Sequence, residues 1–263
     1  MELRTQALKV LQVCMPSDKA RQTLALHDCA QAGLPLDTEL QLSEPADLPG
    51  RPALPRLVAA LQVPKRSPYT TDGRAALLHA VCHIEFNAIN LALDAVWRFA
   101  GMPEAYYRDW LRVAAEEAVH FGLLREHLLT LQHDYGDFDA HDGLWTMTRR
   151  TAGDLVARMA LVPRTLEARG LDATPPMQAR LRKAGDLRAV EILDVILHDE
   201  IGHVAIGNHW YRWLCEREGL DAEALYPVLA ERYQAPRLRA PLNLDARRQA
   251  GFTEAELRQL NPL

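Results

Sequence analysis

The 263-residue sequence predicts an all-α protein. The expected architecture is a wrapping arm over residues 1–69, a four-helix bundle over 70–219 and a helical tail over 220–263. Three observations predict it. Two segments, Ala114-Ala-Glu-Glu-Ala-Val-His120 and His198-Asp-Glu-Ile-Gly-His203, share the spacing E-x-x-H, which puts carboxylate and imidazole on one face of a helix. Each has a glutamate at a matching distance upstream: Glu85 precedes Glu117 by 32 residues, and Glu167 precedes Glu200 by 33. Such an interval suits a helix, a turn and part of an antiparallel second helix. Between glycine and proline stops run long stretches of helical apolar periodicity.

Composition is that of an ordinary water-soluble chain, with 48% hydrophobic residues, 25% charged residues and a formal net charge of −5. That balance gives no overall drive toward nucleic acid or an anionic membrane. No apolar run reads as a membrane span, and the N-terminus lacks a signal peptide's apolar region, so a cytoplasmic location is expected. The four cysteines are scattered without a C-x-x-C pair, which excludes a rubredoxin-type iron centre and leaves reduced thiols.

Taken in order, residues 1–33 read as two helices broken at Pro16-Ser17 and ending at Gly33. Seven prolines between Leu34 and Tyr69 forbid a long helix there except around Arg56–Gln62, and Thr38–Leu42 reads as an extended edge. Leu48, Leu54, Leu57, Val58 and Leu61 make this arm too apolar for a disordered linker. The first bundle helix is expected from Thr71 or Asp72 to Phe99, with Glu85 on the apolar stripe of Val81, Cys82, Ile89 and Ala92. A second starts at Pro103, carries Glu117 and His120 and is expected to run toward His133 and end near Gly136. His83 and His127 read as structural histidines. A third helix is expected from Leu144 to Arg169, kinked by Pro163 four residues before Glu167. Arg149, Arg150, Arg158, Arg164 and Arg169 give it a positive face, read as solvated and paired or as a surface for an anionic ligand. Gly170 and Thr174-Pro-Pro176 should interrupt the path before a short helical piece over Met177–Ala184. The fourth helix runs from Asp186 to Glu218, where Glu191 falls on the side opposite Glu200. The tail reads as a helix near Ala222–Tyr233, a proline-containing segment and a last helix opened by the capping box Thr253-x-x-Glu256.

One E-x-x-H is expected by chance in a chain with ten histidines. Two on long helices, each with an upstream glutamate at a nearly equal interval, form a ligand set: Glu85, Glu117, His120, Glu167, Glu200 and His203. Four carboxylates and two imidazoles balance two divalent ions, and oxygen-rich donors favour iron, or else manganese or a mixed Mn/Fe pair, over a closed zinc site. Glu116 and Asp199 precede the motif glutamates and are expected to accept the free ring N–H of the opposite histidine, Asp199 for His120 and Glu116 for His203. No nucleotide-binding glycine loop or serine-hydrolase elbow occurs.

Pro49-Gly-Arg-Pro52, His83-Ile-Glu-Phe-Asn-Ala-Ile89, Glu116-Glu-Ala-Val-His-Phe121, Tyr135-Gly-Asp-Phe138, Arg158-Met-Ala-Leu-Val-Pro-Arg164, Leu166-Glu-Ala-Arg-Gly-Leu-Asp172, Asp199-Glu-Ile-Gly-His-Val204 and Ala246-Arg-Arg-Gln-Ala-Gly-Phe252 resemble a bacterial ferritin-like family catalogued as a domain of unknown function. That resemblance implies a ferritin-like four-helix bundle and the same six ligands. By ligand order alone the chain is also similar to the ferritin-like tRNA hydroxylase acting on methylthio-isopentenyladenosine, which would make Arg180-Leu-Arg-Lys183 and the third-helix arginines a phosphate-contacting surface and tRNA a partner. The expected function is a metal-dependent oxidoreductase, a diiron oxygenase or hydroxylase using dioxygen, an organic substrate and a separate electron donor. The alternatives are a ferritin-type iron-binding, ferroxidase or storage protein, and a bundle serving only as a partner scaffold.

Overall fold

The computed structural model describes residues 2–238 and 240–260, and among these every named element is helical apart from one isolated parallel bridge, Leu57 with Ala140. The chain forms two compact units, Met1–Trp145 and Thr146–Leu263.

In the first unit, α1 (Leu3–Leu11) starts on Glu2, whose carboxylate accepts from the N–H groups of Arg4 and Thr5, and α2 (Pro16–Gln31) starts with Pro16 in its first turn. Gly33, at φ +94°, turns the chain out of α2. The proline-rich stretch then packs along the helices as an ordered arm, tied down by two buried cations. Arg4 donates to the carbonyls of Asp37, Thr38 and Leu40 and, from its other terminal nitrogen, to that of Trp97. Lys19 donates to the Gly50 carbonyl at 2.8 Å and to Asn90 Oδ1 at 2.5 Å. A side chain at Gly50 would run into the Gln12 carbonyl, so only glycine lets the arm approach there. The helix expected over Arg56–Gln62 shrinks to a 3₁₀ turn at Ala60–Gln62. The residues before it are extended, because Val58 N–H and the Arg56 carbonyl pair with Ala140. Thr38–Leu42 forms no strand, since the Arg4 guanidinium takes its carbonyls.

Helix α3 (Thr71–Arg98) is capped by Thr70, one residue before the expected position, with its hydroxyl accepting from Gly73 N–H at 3.1 Å. Helix α4 (Glu104–Thr130) follows Pro103. The turn between them is fastened by Tyr107, whose hydroxyl donates to the Phe99 carbonyl and accepts from Met102 N–H. Contacts from α1, α2 and α4 leave nearly every residue of α3 from Glu85 to Trp97 buried. Among the described helices α3 is the one long and apolar enough by composition to cross a membrane, and 78% of its most apolar window is buried inside the protein, as in a core helix. His79, His83, Asn87 and Asn90 interrupt the run and disguise it.

Helix α5 (Gly143–Arg150) links the units. The expected continuous third helix, Leu144–Arg169, is instead broken. After Thr151–Asp154 come α6 (Leu155–Leu161), capped by Asp154, and a π-helical turn, Val162–Glu167, entered through Pro163. Helix α7 (Ala168–Lys183) then runs through Gly170 and through Pro175 and Pro176, where the sequence suggested a stop. Pro175 has no N–H for the Leu171 carbonyl, and the side-chain amide of Asn243 supplies one at 3.2 Å. The tail thus repairs the helix that the prolines would break. Helix α8 (Leu187–Glu218) is capped by Asp186 and closed by Gly219 at φ +66°. Helices α9 (Ala222–Arg232), α10 (Leu244–Gln249) and α11 (Glu254–Leu260) complete the unit. Thr253 and Glu256 form the expected reciprocal box, at 2.8 and 3.1 Å. Phe252 and Leu257 join Ala168, Leu171 and Val204 in one apolar cluster.

Candidate metal centre

In the first unit the spacing argument resolves into a tight trio. Glu85 on α3 meets Glu117 and His120 on α4, and their donor atoms all lie within 4.8 Å of one another. His120 Nδ1 stands 3.3 Å from Glu85 Oε2 and 3.2 Å from Glu117 Oε2. All three side chains are buried, two of them completely. Burial first, and then the charge of Glu117, push the Glu85 carboxyl well above the ordinary carboxylate range. A divalent cation would reverse this, because it rewards ionisation of both carboxylates and takes an imidazole lone pair at no cost in charge.

A cluster of rings adjoins the trio in sequence. Phe86 and Phe121, each next in sequence to a ligand candidate, lie 5.6 Å apart, and Tyr135 stands 5.4 and 5.3 Å from them. Cys82 lies one turn before Glu85, but burial raises its thiol pKa and it points to the Phe121 carbonyl, which leaves it a protonated core thiol. His83, expected to be structural, shares hydrogen bonds with the Tyr135 hydroxyl at 2.9 Å and with Asn87 at 3.0 Å. Burial pushes its pKa down to about 3. His127 is buried near the end of α4 beside Thr130, again in a packing role.

In the second unit Glu200 and His203 lie on one face of α8, with His203 Nδ1 and Glu200 Oε1 3.9 Å apart and both residues buried. Glu167 is also buried, at the last position of the π turn. It joins no trio of donors as tight as that of the first unit among the described residues. The kink expected from Pro163 therefore exists, in the form of that turn. Glu116 and Asp199 are half-buried, and Glu191 is exposed, in agreement with its rejection as a ligand.

The expected arginine face is smaller than the sequence suggested. Arg158 and Arg164 are buried, Arg158 on Thr151 Oγ1 and the Thr148 carbonyl and Arg164 on Asn208 and Glu256. Arg149, Arg150, Arg169, Arg180, Arg182 and Lys183 are exposed. Sequence reasoning missed the Arg164 and Lys19 networks, whose partners lie 92 and 71 residues away; the only local signal was a cation amid apolar neighbours.

A protein of Haemophilus influenzae described as an uncharacterized protein is 49% identical over 268 residues, covering 96% of this chain and 91% of the relative. No solved structure matches the chain. The family described as "Protein of unknown function (DUF455)" matches residues 12–258. With nearly the whole length matched, the chain belongs to that family.

Proposed function

We propose that the protein is a metal-dependent oxidoreductase, a diiron oxygenase or hydroxylase built on a ferritin-like four-helix bundle. Helices α3 and α4, the α6–α7 segment and α8 would supply the bundle, and Glu85, Glu117, His120, Glu167, Glu200 and His203 would hold the ions. One observation carries the reading: two carboxylates and an imidazole from two helices converge within 4.8 Å, all buried, with Glu117 and His120 supplied by the E-x-x-H spacing. The nearly equal intervals of the second motif support the same role for Glu200 and His203.

The donor set fits iron or manganese, being rich in carboxylate oxygen with one imidazole per motif. Bound iron in such a set supplies the electrons that activate dioxygen. The chain's own residues do the rest. The carboxylates offset the ionic charge, the helical spacing aligns each imidazole beside its glutamate, and Phe86 and Phe121 keep water from the first motif. Glu116 and Asp199 serve as acceptors for histidine N–H groups, fixing the tautomer that leaves the other nitrogen free to bind metal.

Metal analysis of anaerobically purified protein tests the reading. Two iron or manganese ions per chain, with a change in the optical spectrum on exposure to air, are expected. One ion or fewer, or stoichiometric zinc, would rule it out. Gel filtration separates it from iron storage, which requires a large closed assembly.

A further inference from the structure

The turn that carries Glu167 is irregular and buried at all six positions, Val162–Glu167. A π turn interrupts the regular α-helical hydrogen-bond ladder and persists where its surroundings over-determine it. Three consecutive residues do so here. Pro163 packs on Gly207 of α8, where an added Cβ would come within 2.6 Å of the proline ring. Arg164 donates to Asn208 Oδ1 at 3.0 Å and to Glu256 Oε1 at 2.7 Å. Thr165 donates to the Ala160 carbonyl and shares a hydrogen bond with the Tyr226 hydroxyl.

Arg164 is the joint of this assembly. Its guanidinium lies 5.1, 5.0 and 4.8 Å from the ring centroids of Tyr211, Tyr226 and Phe252, and its carboxylate partner is only 3% exposed. A buried ion pair of this kind seldom adds net stability over apolar residues of the same volume, so its presence points to a geometric role. Helices α8, α9 and α11 all meet on this one side chain. Asn208 in turn donates to the Ala250 carbonyl, and Glu256 also accepts from Arg212 and Thr253 N–H. Three residues beyond the joint stands Glu167.

We propose that Arg164 is a positioning residue for Glu167, held by Glu256 and Asn208 so that the C-terminal tail sets where that carboxylate meets a metal ion. This rests on reading Glu167 as a ligand. The test is anaerobic Mn(II) titration by equilibrium dialysis with electron paramagnetic resonance, applied to the wild type, R164M/E256Q, Glu167→Gln and Arg4→Met as a buried-arginine control.

The wild type should take two Mn(II) with a spin-coupled spectrum. R164M/E256Q should keep its helical circular dichroism and its first ion, bind the second at least about tenfold more weakly and show an isolated-ion spectrum, as Glu167→Gln should. Arg4→Met should bind both ions normally. A folded R164M/E256Q with both ions at wild-type affinity overturns the positioning role, as does equal weakening in Arg4→Met. Fewer than two ions on the wild type overturns the dinuclear reading and this role with it, so the wild-type result tells the two failures apart. If R164M/E256Q does not fold, Arg164→Lys decides on the same criteria, because it keeps the charge and loses the two-pronged reach.

Discussion

Glu85 occupies a helix stripe whose other members are apolar, and burial together with Glu117 makes its charge costly. Removing a ligand and keeping its volume separates metal binding from folding. Glu85→Gln and Glu117→Gln should each lose at least one ion per chain by elemental analysis while far-ultraviolet circular dichroism is unchanged; full occupancy in either would remove that residue from the ligand set. His79 gives a different readout. It is buried, accepts from Gly136 N–H at 2.9 Å, and desolvation holds its pKa near 4. Folding therefore requires the neutral ring. That contribution is complete above the unfolded value near 6.5 and is lost as pH falls toward 4, because the unfolded chain binds the proton first. Stability should drop by up to about 1.4 kcal/mol per pH unit across that window, and His79→Gln should flatten the slope in urea melts taken between pH 7 and 5. An unchanged slope would assign the acid sensitivity elsewhere. The trio was legible at this scale because i,i+3 spacing is a local property of a helix. Arg164 was not, because its partners are set by packing.

Among the elements, α3, α4 and α8 were legible to within a residue or so at most ends, since each combines apolar periodicity with a cap: Thr70, Pro103, Asp186 and Gly219. The third helix was misread twice for one physical reason. Proline removes a donor, but whether the helix breaks depends on who else serves the orphaned carbonyl. At Leu171 it is Asn243, from a distant segment. In the π turn, the Thr165 hydroxyl adds a bond to the Ala160 carbonyl. Gly207 is the other half of the π turn's fit, and a methyl there meets Pro163 Cβ at 2.6 Å and Cγ at 2.7 Å. Gly207→Ala gains helix propensity in α8 but overpacks the contact, and overpacking should win by about 1–3 kcal/mol. Thermal melts would show it, and a variant as stable as wild type would mean the turn yields freely.

Over the whole molecule, the arm's path was the least legible feature, although its order was expected from its leucines. Local pattern says that residues 34–69 cannot be a long helix; it does not say that Arg4 and Lys19 will hold them. Lys19 shows how strongly: burial pulls its pKa down to about 7, yet Gly50 and Asn90 both accept from it. Lys19→Met strands two buried acceptors and should cost about 2–3 kcal/mol, and adding Asn90→Leu should restore part of it by removing one stranded group. Bound metal ions would act at this scale too. Ions that bind only the folded chain stabilise it by mass action, about 2.7 kcal/mol per site at 100-fold excess over Kd. For a chain of this length each kcal/mol moves Tm by roughly 2–4 °C. Saturating Mn(II) should therefore raise Tm by roughly 5–10 °C per ion bound, with a chelator reversing it and magnesium, which prefers to keep its waters, having little effect. A melting temperature indifferent to manganese and chelator would contradict metal binding by Glu85, Glu117 and His120.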